Sequence, residues 1–562
     1  MPTLEISYRD LCDLIGKNIE MDKLKEEDIL LAKCEIYEVV GDTLKVDAKD
    51  TNRPDLWSTE GIAREIRYRY KGGFPVYKTR KSRVIVYVDK SVCAVRPFTA
   101  CAVVRGLKID KNVLSQMIQL QEKIAGTFGA NRREVAIGVY DLEKIKPPIR
   151  YTTTGRTELK FVPLDFEKEL TPEEILNVHQ KGKEFGHLLK GADRYPIFID
   201  SSNVVLSMPP IINSAYTGKV TEKTKDVFIE CSGFNMKFLT AALNVIVTAL
   251  HERGGSIETV EVVYGEKKFV TPDLSPKKIA LELKYVNDIA GLGINEKEAA
   301  KILSRSGYKV SGCKKLSLSY PAYRQDVMHA RDVVEDIIIT YGLNRIEPND
   351  KKLPTSGKLA DMETFKENIY SILTGAGMQE ILSYTLTNKK DIFNNMNASP
   401  CTIAEIDNPV SFNWSVFRNW MLPGVMDFLS RNKHIEYPQK VFELGTCIII
   451  DDGRETKSKD EIKLAAAITN SVVNYEDVSS VLDSLMRNIG VSYKLRKYEH
   501  GSFVGGRCAE IVVGGKHAGI IGEINPSVLN NWKLDKPVVA FELDLTYIFA
   551  IKNEYGSSTS GS

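Results

Sequence analysis

Asp326, Asp332, Glu335 and Asp336 stand within one short stretch, YPAYRQDVMHARDVVEDIIITYGLNRI (320–346), and clustered carboxylates can ligate a hard divalent cation such as Mg²⁺. On a helix turning about 100° per residue, with Asp332 at zero, Glu335 falls at about 300° and Asp336 at about 40°. Val333, Val334, Ile337, Ile338 and Tyr341 gather between about 100° and 240°, so the apolar stripe lies opposite the acidic face. Asp326 stands roughly one and a half turns earlier, near the helix start, where it can reach the same side. Gly342 is placed to close the helix. Mutual repulsion costs on the order of tenths of a kcal/mol per i,i+4 pair, and a bound cation would remove it. Alternatively the face is solvated, with Arg331 and Arg345 beside it; spacing alone favours this second reading.

Such a helix needs a scaffold, and the chain is long enough for several. Its 562 residues predict about three to five domains. Hydrophobic residues at 43% and charged residues at 27% are the proportions of a globular protein with sizeable cores, which excludes a largely disordered chain. Lys+Arg at 76 nearly balances Asp+Glu at 74, so a wholesale basic coat for nucleic acid is excluded while a local basic face is not. No run of about 18 apolar residues occurs, and the start, MPTLEISYRD, has no signal-peptide pattern, so no membrane partner is expected. Nine cysteines, none in C-x-x-C, and seven scattered histidines point to a reducing, cytoplasmic setting without structural zinc.

Turn and breaker signals divide the chain into an α+β, multidomain protein. Residues 1–83 read as a small α/β domain, with strands at Cys34–Val40 and Thr43–Ala48 around Gly41-Asp42. Its helix is capped by Ser58 or Thr59 and ended by Gly72-Gly73. Residues 84–266 interleave strands (Thr99–Val104, Val135–Tyr140, Pro196–Ile199, Val260–Tyr264) with helices (Val113–Ala125, Pro172–Leu189, Lys237–Glu252). This is a mixed α/β domain, too irregular for a repeating βαβ barrel. A polar linker, 267–276, leads to a small helical-plus-strand domain, 277–347, where Asn295 and Glu298 have capping-box spacing. After a second linker, 348–357, residues 358–552 carry a long helix (Met362–Thr374) and strands at Glu380–Thr387, Lys440–Ile450, Lys463–Thr469, Arg507–Val513 and Val538–Leu545. With a hairpin turn at Gly514-Gly515, this predicts an antiparallel sheet with helices. Residues 553–562 form a tail that is disordered by composition.

Three long blocks occur in order: TNRPDLWSTEGIARE (51–65), the acidic stretch 320–346, and NPVSFNWSVFRNWMLPGVMDFLSRNK with KVFELG (408–445). Together they resemble the β subunit of phenylalanyl-tRNA synthetase in its shorter archaeal and eukaryotic-cytosolic form, and they span essentially the whole chain. The resemblance implies an (αβ)₂ tetramer with a synthetase α subunit. In it, α uses ATP as substrate to attach phenylalanine to tRNAPhe, while β supplies scaffold, RNA contacts and an editing pocket that hydrolyses Tyr-tRNAPhe. It also implies that Asp326, Asp332, Glu335 and Asp336 hold Mg²⁺, the same carboxylates that the helical wheel brings together.

The resemblance makes 358–552 a class II synthetase-like domain, and a degenerate one. The late segment HAGIIGEINPSVLNNW (517–532) has no arginine to clamp an ATP phosphate, no G-x-G-x-G run occurs, and KVFELGTC lacks an arginine–x–glutamate pair. No catalytic residue for aminoacylation is therefore expected in this chain. Trp420, Leu422, Val425, Met426 and Leu429 belong either to an interface with α or to the internal core. The family's editing domain corresponds to 84–266, and the matching segment 200–233 contributes Ser207, Asn213, Glu230 and Ser232. A hydrophobic pocket rejects an added hydroxyl by only about 10²-fold, so a second, hydrolytic site is useful. These four side chains offer donors and acceptors to a tyrosyl hydroxyl or a water. Alternatively, Ser207 and Asn213 serve turns around Pro209-Pro210, and Glu230 lies on a strand surface. No Ser–His–Asp or Cys–His set is visible, so hydrolysis would use a positioned water and the tRNA's own hydroxyl. Basic clusters at Lys78–Arg83, Arg132-Arg133, Lys181–Lys183 and Lys314-Lys315 are either RNA contacts or solvated faces. A freestanding editing hydrolase and a non-catalytic RNA-binding scaffold are the alternative functions.

Overall fold

The computed structural model describes residues 2–312, 315–348 and 355–559, and the chain divides into two units, 1–350 and 351–562. The first unit opens with an antiparallel sheet in which Thr43–Ala48 lies between Thr3–Ser7 and Cys34–Val40. Ser58 accepts from the Gly61 amide at 3.0 Å to start the helix Thr59–Lys71, and Gly72 stops it. Gly61 also permits a close approach. A Cβ there would lie 1.7 Å from the Asp55 carbonyl oxygen, so the helix rests directly on the short turn of helix Pro54–Leu56.

A ten-stranded mixed sheet forms the body of this unit. Its order is Ile212–Asn213, Val205–Met208, Arg194–Ile199, Ile149–Gly155, Arg80–Val88, Ser256–Tyr264, Phe98–Arg105, Val227–Gly233 and Val135–Asp141, with Lys267–Thr271 paired to Ser256–Tyr264. Alternation sets its two faces. Val227, Ile229 and Cys231 pack with Leu239, Leu243 and Val247 of the helix Met236–Glu252. Phe228 instead joins Val86, Val103, Tyr140, Tyr151 and Phe198 on the opposite side. The sheet curls around that second side until Tyr140, on one edge strand, lies 2.7 Å from Ser207 near the other edge.

The expected linker 267–276 begins as an edge strand. Lys267–Thr271 pairs antiparallel with Ser256–Tyr264, and Thr271 is buried with its hydroxyl bonded to the Cys101 backbone. The single helix expected over Pro172–Leu189 is interrupted at His179, whose extended backbone separates Pro172–Val178 from Gln180–Phe185. Residues 277–347 set the strands Lys277–Glu282, Lys315–Tyr320 and Lys309–Ser311 against the helices Leu283–Ala290, Glu296–Ser304 and Ala330–Tyr341. Asn295 and Glu298 form the capping box reciprocally, at 3.1 and 2.9 Å.

The second unit is built on a seven-stranded sheet ordered Gln379–Glu380, Gln439–Ile450, Ser458–Thr469, Val538–Asp544, Lys516–Ile524, Phe503–Val513 and Tyr493–Lys497. The first pair is parallel and the other pairs are antiparallel. Gly514 (φ 56°) and Gly515 (φ 85°) supply the two left-handed positions of a tight hairpin turn. The helices Asp361–Gly375 and Tyr475–Asn488 cover one face, and Leu422–Arg431 covers the other. The strand expected over Glu380–Thr387 splits: Gln379–Glu380 joins the main sheet, while Leu386–Thr387 pairs with Val416–Phe417. Leu422, Val425, Met426 and Leu429 are buried in this unit's own core, so these four belong to the core and not to an external interface, and Trp420 packs half-buried against them.

The helix Leu545–Thr559, anchored in the core by Leu545 and Ile548, carries regular backbone into 553–562, where composition predicts disorder. Residues 560–562 of that tail lie outside the described residues, as do Cys313, Lys314 and residues 349–354 of the second expected linker.

Candidate functional site

Where the two ends of the curled sheet meet, a cavity of about 410 Å³ opens. Ser207, Asn213 and Glu230 line it, with apolar walls that include Met117, Ile137, Val139 and Ile211. Strand register explains the convergence: Glu230 stands opposite Gly138, and Phe228 opposite Tyr140. With no side chain at 138, the Tyr140 ring leans back along its own strand. A Cβ at that glycine would fall 2.0 Å from the Tyr140 hydroxyl. This hydroxyl lies 2.7 Å from Ser207 Oγ, 3.1 Å from Glu230 Oε1 and 3.5 Å from Asn213 Oδ1. Ser232 does not line the cavity. It lies behind the wall, fully buried, where its Oγ accepts from Arg96 Nε at 3.1 Å. Tyr140 and Arg96 have no distinguishing sequence signal, because a tyrosine in an apolar strand reads as core and Arg96 is an isolated cation.

Burial pushes Glu230 up to about 7, while the Tyr140 hydroxyl, the Arg96 charge and the Ser232 hydroxyl favour its anion. Its second oxygen, Oε2, is buried and has no hydrogen-bond partner. Such an oxygen in a cavity wall is a ready partner for a ligand hydroxyl, since leaving it unpaired is costly. Arg132, Lys181 and Lys219 also line the cavity, with Glu122 and Asp165. The Arg132 guanidinium lies over the Phe185 ring at 4.3 Å and donates to the Ile211 carbonyl at 2.9 Å. Neither histidine nor cysteine is among the lining residues. The chemistry on offer is recognition of a hydroxyl beside a carboxyl group that titrates near neutrality.

At the acidic helix the protein's own cations meet the carboxylates. Arg324 Nε donates to Asp326 Oδ1 at 2.8 Å, and its Nη2 reaches Asp336 Oδ2 at 2.7 Å, where the Tyr308 hydroxyl also donates at 2.8 Å. Arg53 stands 3.7 Å from Asp326 and binds Asp55 and Glu65; Glu65 in turn binds Arg69. Asp332 caps its own helix by accepting from the Met328 and His329 amides at 2.8 and 2.6 Å. Glu335 is exposed and meets Lys33 at 3.1 Å. Burial opposes ionisation of Asp336, but Arg324, then Arg53 and Arg69, outweigh it and hold the carboxyl well below the usual range.

The four carboxylates therefore do not fit a shared divalent ion. Two are engaged by a guanidinium, one caps a helix and one reaches a lysine. One oxygen, Asp336 Oδ1, is left without a partner, and a single atom is not a ligand set. Among the described residues, no three His, Cys, Asp or Glu side chains converge as a metal site.

The second unit has a cavity of about 360 Å³ with Arg418 in its lining. Arg418 is buried and donates to Glu443 Oε1 at 2.7 Å, Ser383 Oγ at 2.9 Å and the Thr446 carbonyl at 2.9 Å. An arginine–glutamate pair absent from contiguous sequence thus exists in space, but its members engage each other. Leu382, Tyr384 and Trp414 stand exposed beside this cavity, with Tyr384 and Trp414 meeting edge-on at 5.0 Å, and Val410 and Phe412, just ahead of Trp414 in the sequence, are exposed as well.

Three family models match the chain: the B3/4 domain over 114–263, the tRNA synthetase B5 domain over 279–343, and the phenylalanyl tRNA synthetase beta chain CLM domain over 346–545. The chain is 49% identical to the phenylalanine–tRNA ligase beta subunit of Pyrococcus abyssi, with 98% of this chain and 100% of that one covered. Identity is 47% to that of Pyrococcus horikoshii (98% and 100% covered) and 36% to that of Methanocaldococcus jannaschii (97% and 100%). The crystal structure of an N-terminal fragment of the phenylalanyl-tRNA synthetase beta-subunit from Pyrococcus horikoshii superposes with a TM-score of 0.59. It is 49% identical and covers 61% of this chain and 100% of the fragment.

Proposed function

Because the chain belongs to the phenylalanine–tRNA ligase beta-subunit family, and so is a component of an aminoacyl-tRNA synthetase, we propose that it serves an α partner that attaches phenylalanine to tRNAPhe. In this reading it also hydrolyses Tyr-tRNAPhe in the cavity of the first unit. The observation that carries the editing role is the cavity of mixed apolar and polar lining in whose wall Glu230 keeps an unpaired carboxyl oxygen. The apolar walls accept the aromatic ring, and Glu230 pairs with the tyrosyl hydroxyl. A phenylalanyl group has no hydroxyl and leaves Glu230 unpaired, the arrangement that discriminates most strongly. Water then adds to the ester carbonyl carbon, the bond to the ribose oxygen breaks, and that oxygen departs as a hydroxyl carrying a proton from the water. With no nucleophile–histidine pair in the cavity, the tRNA's own neighbouring hydroxyl is the group placed to assist the water.

Adenylate chemistry with ATP belongs to α in this reading, because Arg418 and Arg431, the two arginines lining the second cavity, are already engaged by Glu443 and Asp427. The exposed apolar side chains of Phe412 and Tyr384 support a protein partner, and an (αβ)₂ assembly follows the family resemblance. Mg²⁺ would enter with the nucleotide; the donor arrangement gives no support for an ion at Asp326, Asp332, Glu335 and Asp336. A cytoplasmic location agrees with the role, and among the described residues no helix is long and apolar enough to cross a membrane.

The test is to co-express the chain with its α subunit and compare it with Glu230→Ala. Hydrolysis of Tyr-tRNAPhe is expected to fall by about 10- to 100-fold while phenylalanylation persists. Undiminished hydrolysis would overturn the editing role. Hydrolysis by a chain that does not associate with α would favour a freestanding editing enzyme.

A further inference from the structure

We infer that Tyr140 is a positioning residue of the cavity, whose hydroxyl holds the Glu230 carboxyl group in the orientation that meets the tyrosyl substrate; this rests on the editing role proposed above. Tyr140 is fully buried, and its ring is set by Phe228, tilted against it at 5.9 Å between centroids. Among the described residues its hydroxyl meets Ser207, Glu230 and Asn213, three polar cavity residues that come from separate strands. A phenol that merely filled the core would cost stability unless its hydroxyl found a partner, and any one acceptor would serve. Here the hydroxyl sits at the junction of three.

Gly138 is what permits this. It stands opposite Glu230 in register and leaves the space that the Tyr140 hydroxyl occupies. The phenol thereby engages Oε1 and leaves Oε2 as the oxygen without a partner. Were Tyr140 to lose its hydroxyl, Oε1 would also be unpaired. The carboxyl group would be free to rotate toward Ser207 or Ser232, and both the recognition of a tyrosyl hydroxyl and the ionisation of Glu230 would change. The charged or titratable groups facing Glu230 are Arg96, which favours its anion, and Tyr140, Tyr151, Cys101 and Cys231, whose own ionisation it opposes.

Tyr140→Phe in the complete complex with α tests this. The variant keeps the ring and its packing, and aminoacylation by α reports that the complex assembles. The expected result is a drop of about 10-fold or more in kcat/KM for Tyr-tRNAPhe hydrolysis. Selectivity for tyrosyl over phenylalanyl ester should narrow, and the acidic limb of the pH–rate profile should move to higher pH, since a donor favouring the Glu230 anion is gone. A purely packing role would move neither the selectivity nor the pH limb. Gly138→Ala, which retains the phenol but displaces it, should reproduce the loss. If Glu230→Ala abolishes hydrolysis while Tyr140→Phe leaves rate, selectivity and pH profile unchanged, the positioning role is wrong and the editing role stands. If Glu230→Ala is itself silent, the editing role fails first.

Discussion

At the scale of single residues, Glu230 carries a cost that depends on pH. Burial lifts it from an ordinary 4.5 to about 7, above its value in the unfolded chain. Its folded environment is therefore fully favourable only below about pH 4.5, and stability is lost as pH rises toward 7, where the folded protein must ionise a buried group. The full effect is about 3 kcal/mol. Glu230→Gln should accordingly raise the unfolding free energy read from a urea titration at pH 8 by an amount on that scale and leave it nearly unchanged at pH 4.5. An equal shift at both pH values would mean that Glu230 is not held near neutrality. Glu542 is also buried and raised, so it is the position of Glu230 in the cavity wall, and not this cost alone, that marks it as a candidate site residue.

At the scale of elements, the helix Ala330–Tyr341 and the helix Thr59–Lys71 are joined by buried charge. Arg324, Asp326 and Asp336 meet Arg53, and Glu65 and Arg69 extend the network to Ser306. Removing one member leaves an uncompensated buried charge, so Arg324→Ala should cost about 3–5 kcal/mol in a denaturant titration. Chelation with EDTA should leave the wild-type midpoint where it is, because side chains supply the counter-charge. A fall on chelation that Mg²⁺ reverses would refute this account. Much of the helix was legible beforehand: the wheel places Asp332, Glu335 and Asp336 on one face, and Gly342 ends the helix. What it cannot show is that Lys33 and Arg53, some 250 or more positions away in the sequence, join Arg324 in supplying the neutralising charge. Local periodicity reports faces, whereas partners depend on tertiary packing. The same limit hid Lys267–Thr271, whose polar composition suits an edge strand as well as a linker.

At the scale of the whole molecule, the hydrophobic surface left uncovered is informative. Phe412 and Leu382 are 88% and 82% exposed, and with Tyr384 and Val410 they are exposed apolar side chains of the kind that a partner buries. The double variant Phe412→Asp with Tyr384→Asp should fold normally and weaken association with α by about 10-fold or more, read by native mass or sedimentation. Unaltered assembly would place the interface elsewhere. The apolar helix Leu422–Arg431 looks like an equally good interface in sequence, yet it is core, because an amphipathic stripe does not say whether its cover is internal or foreign. Three of the four editing-site candidates met in one cavity because the sheet's two edges curl together, a closure that no local pattern encodes.

The buried charge network also bears on how the protein can be inherited. A chain ending at 276 would strip the Tyr323 ring from above Arg64, Ser306 from Arg69, Glu335 from Lys33 and Asp326 from Arg53. The opening residues and the module after the large sheet are thus separated in sequence yet electrostatically one body. A chimera that exchanges one of them alone would leave Arg53 and Arg69 without these partners, so the two should be transferred together.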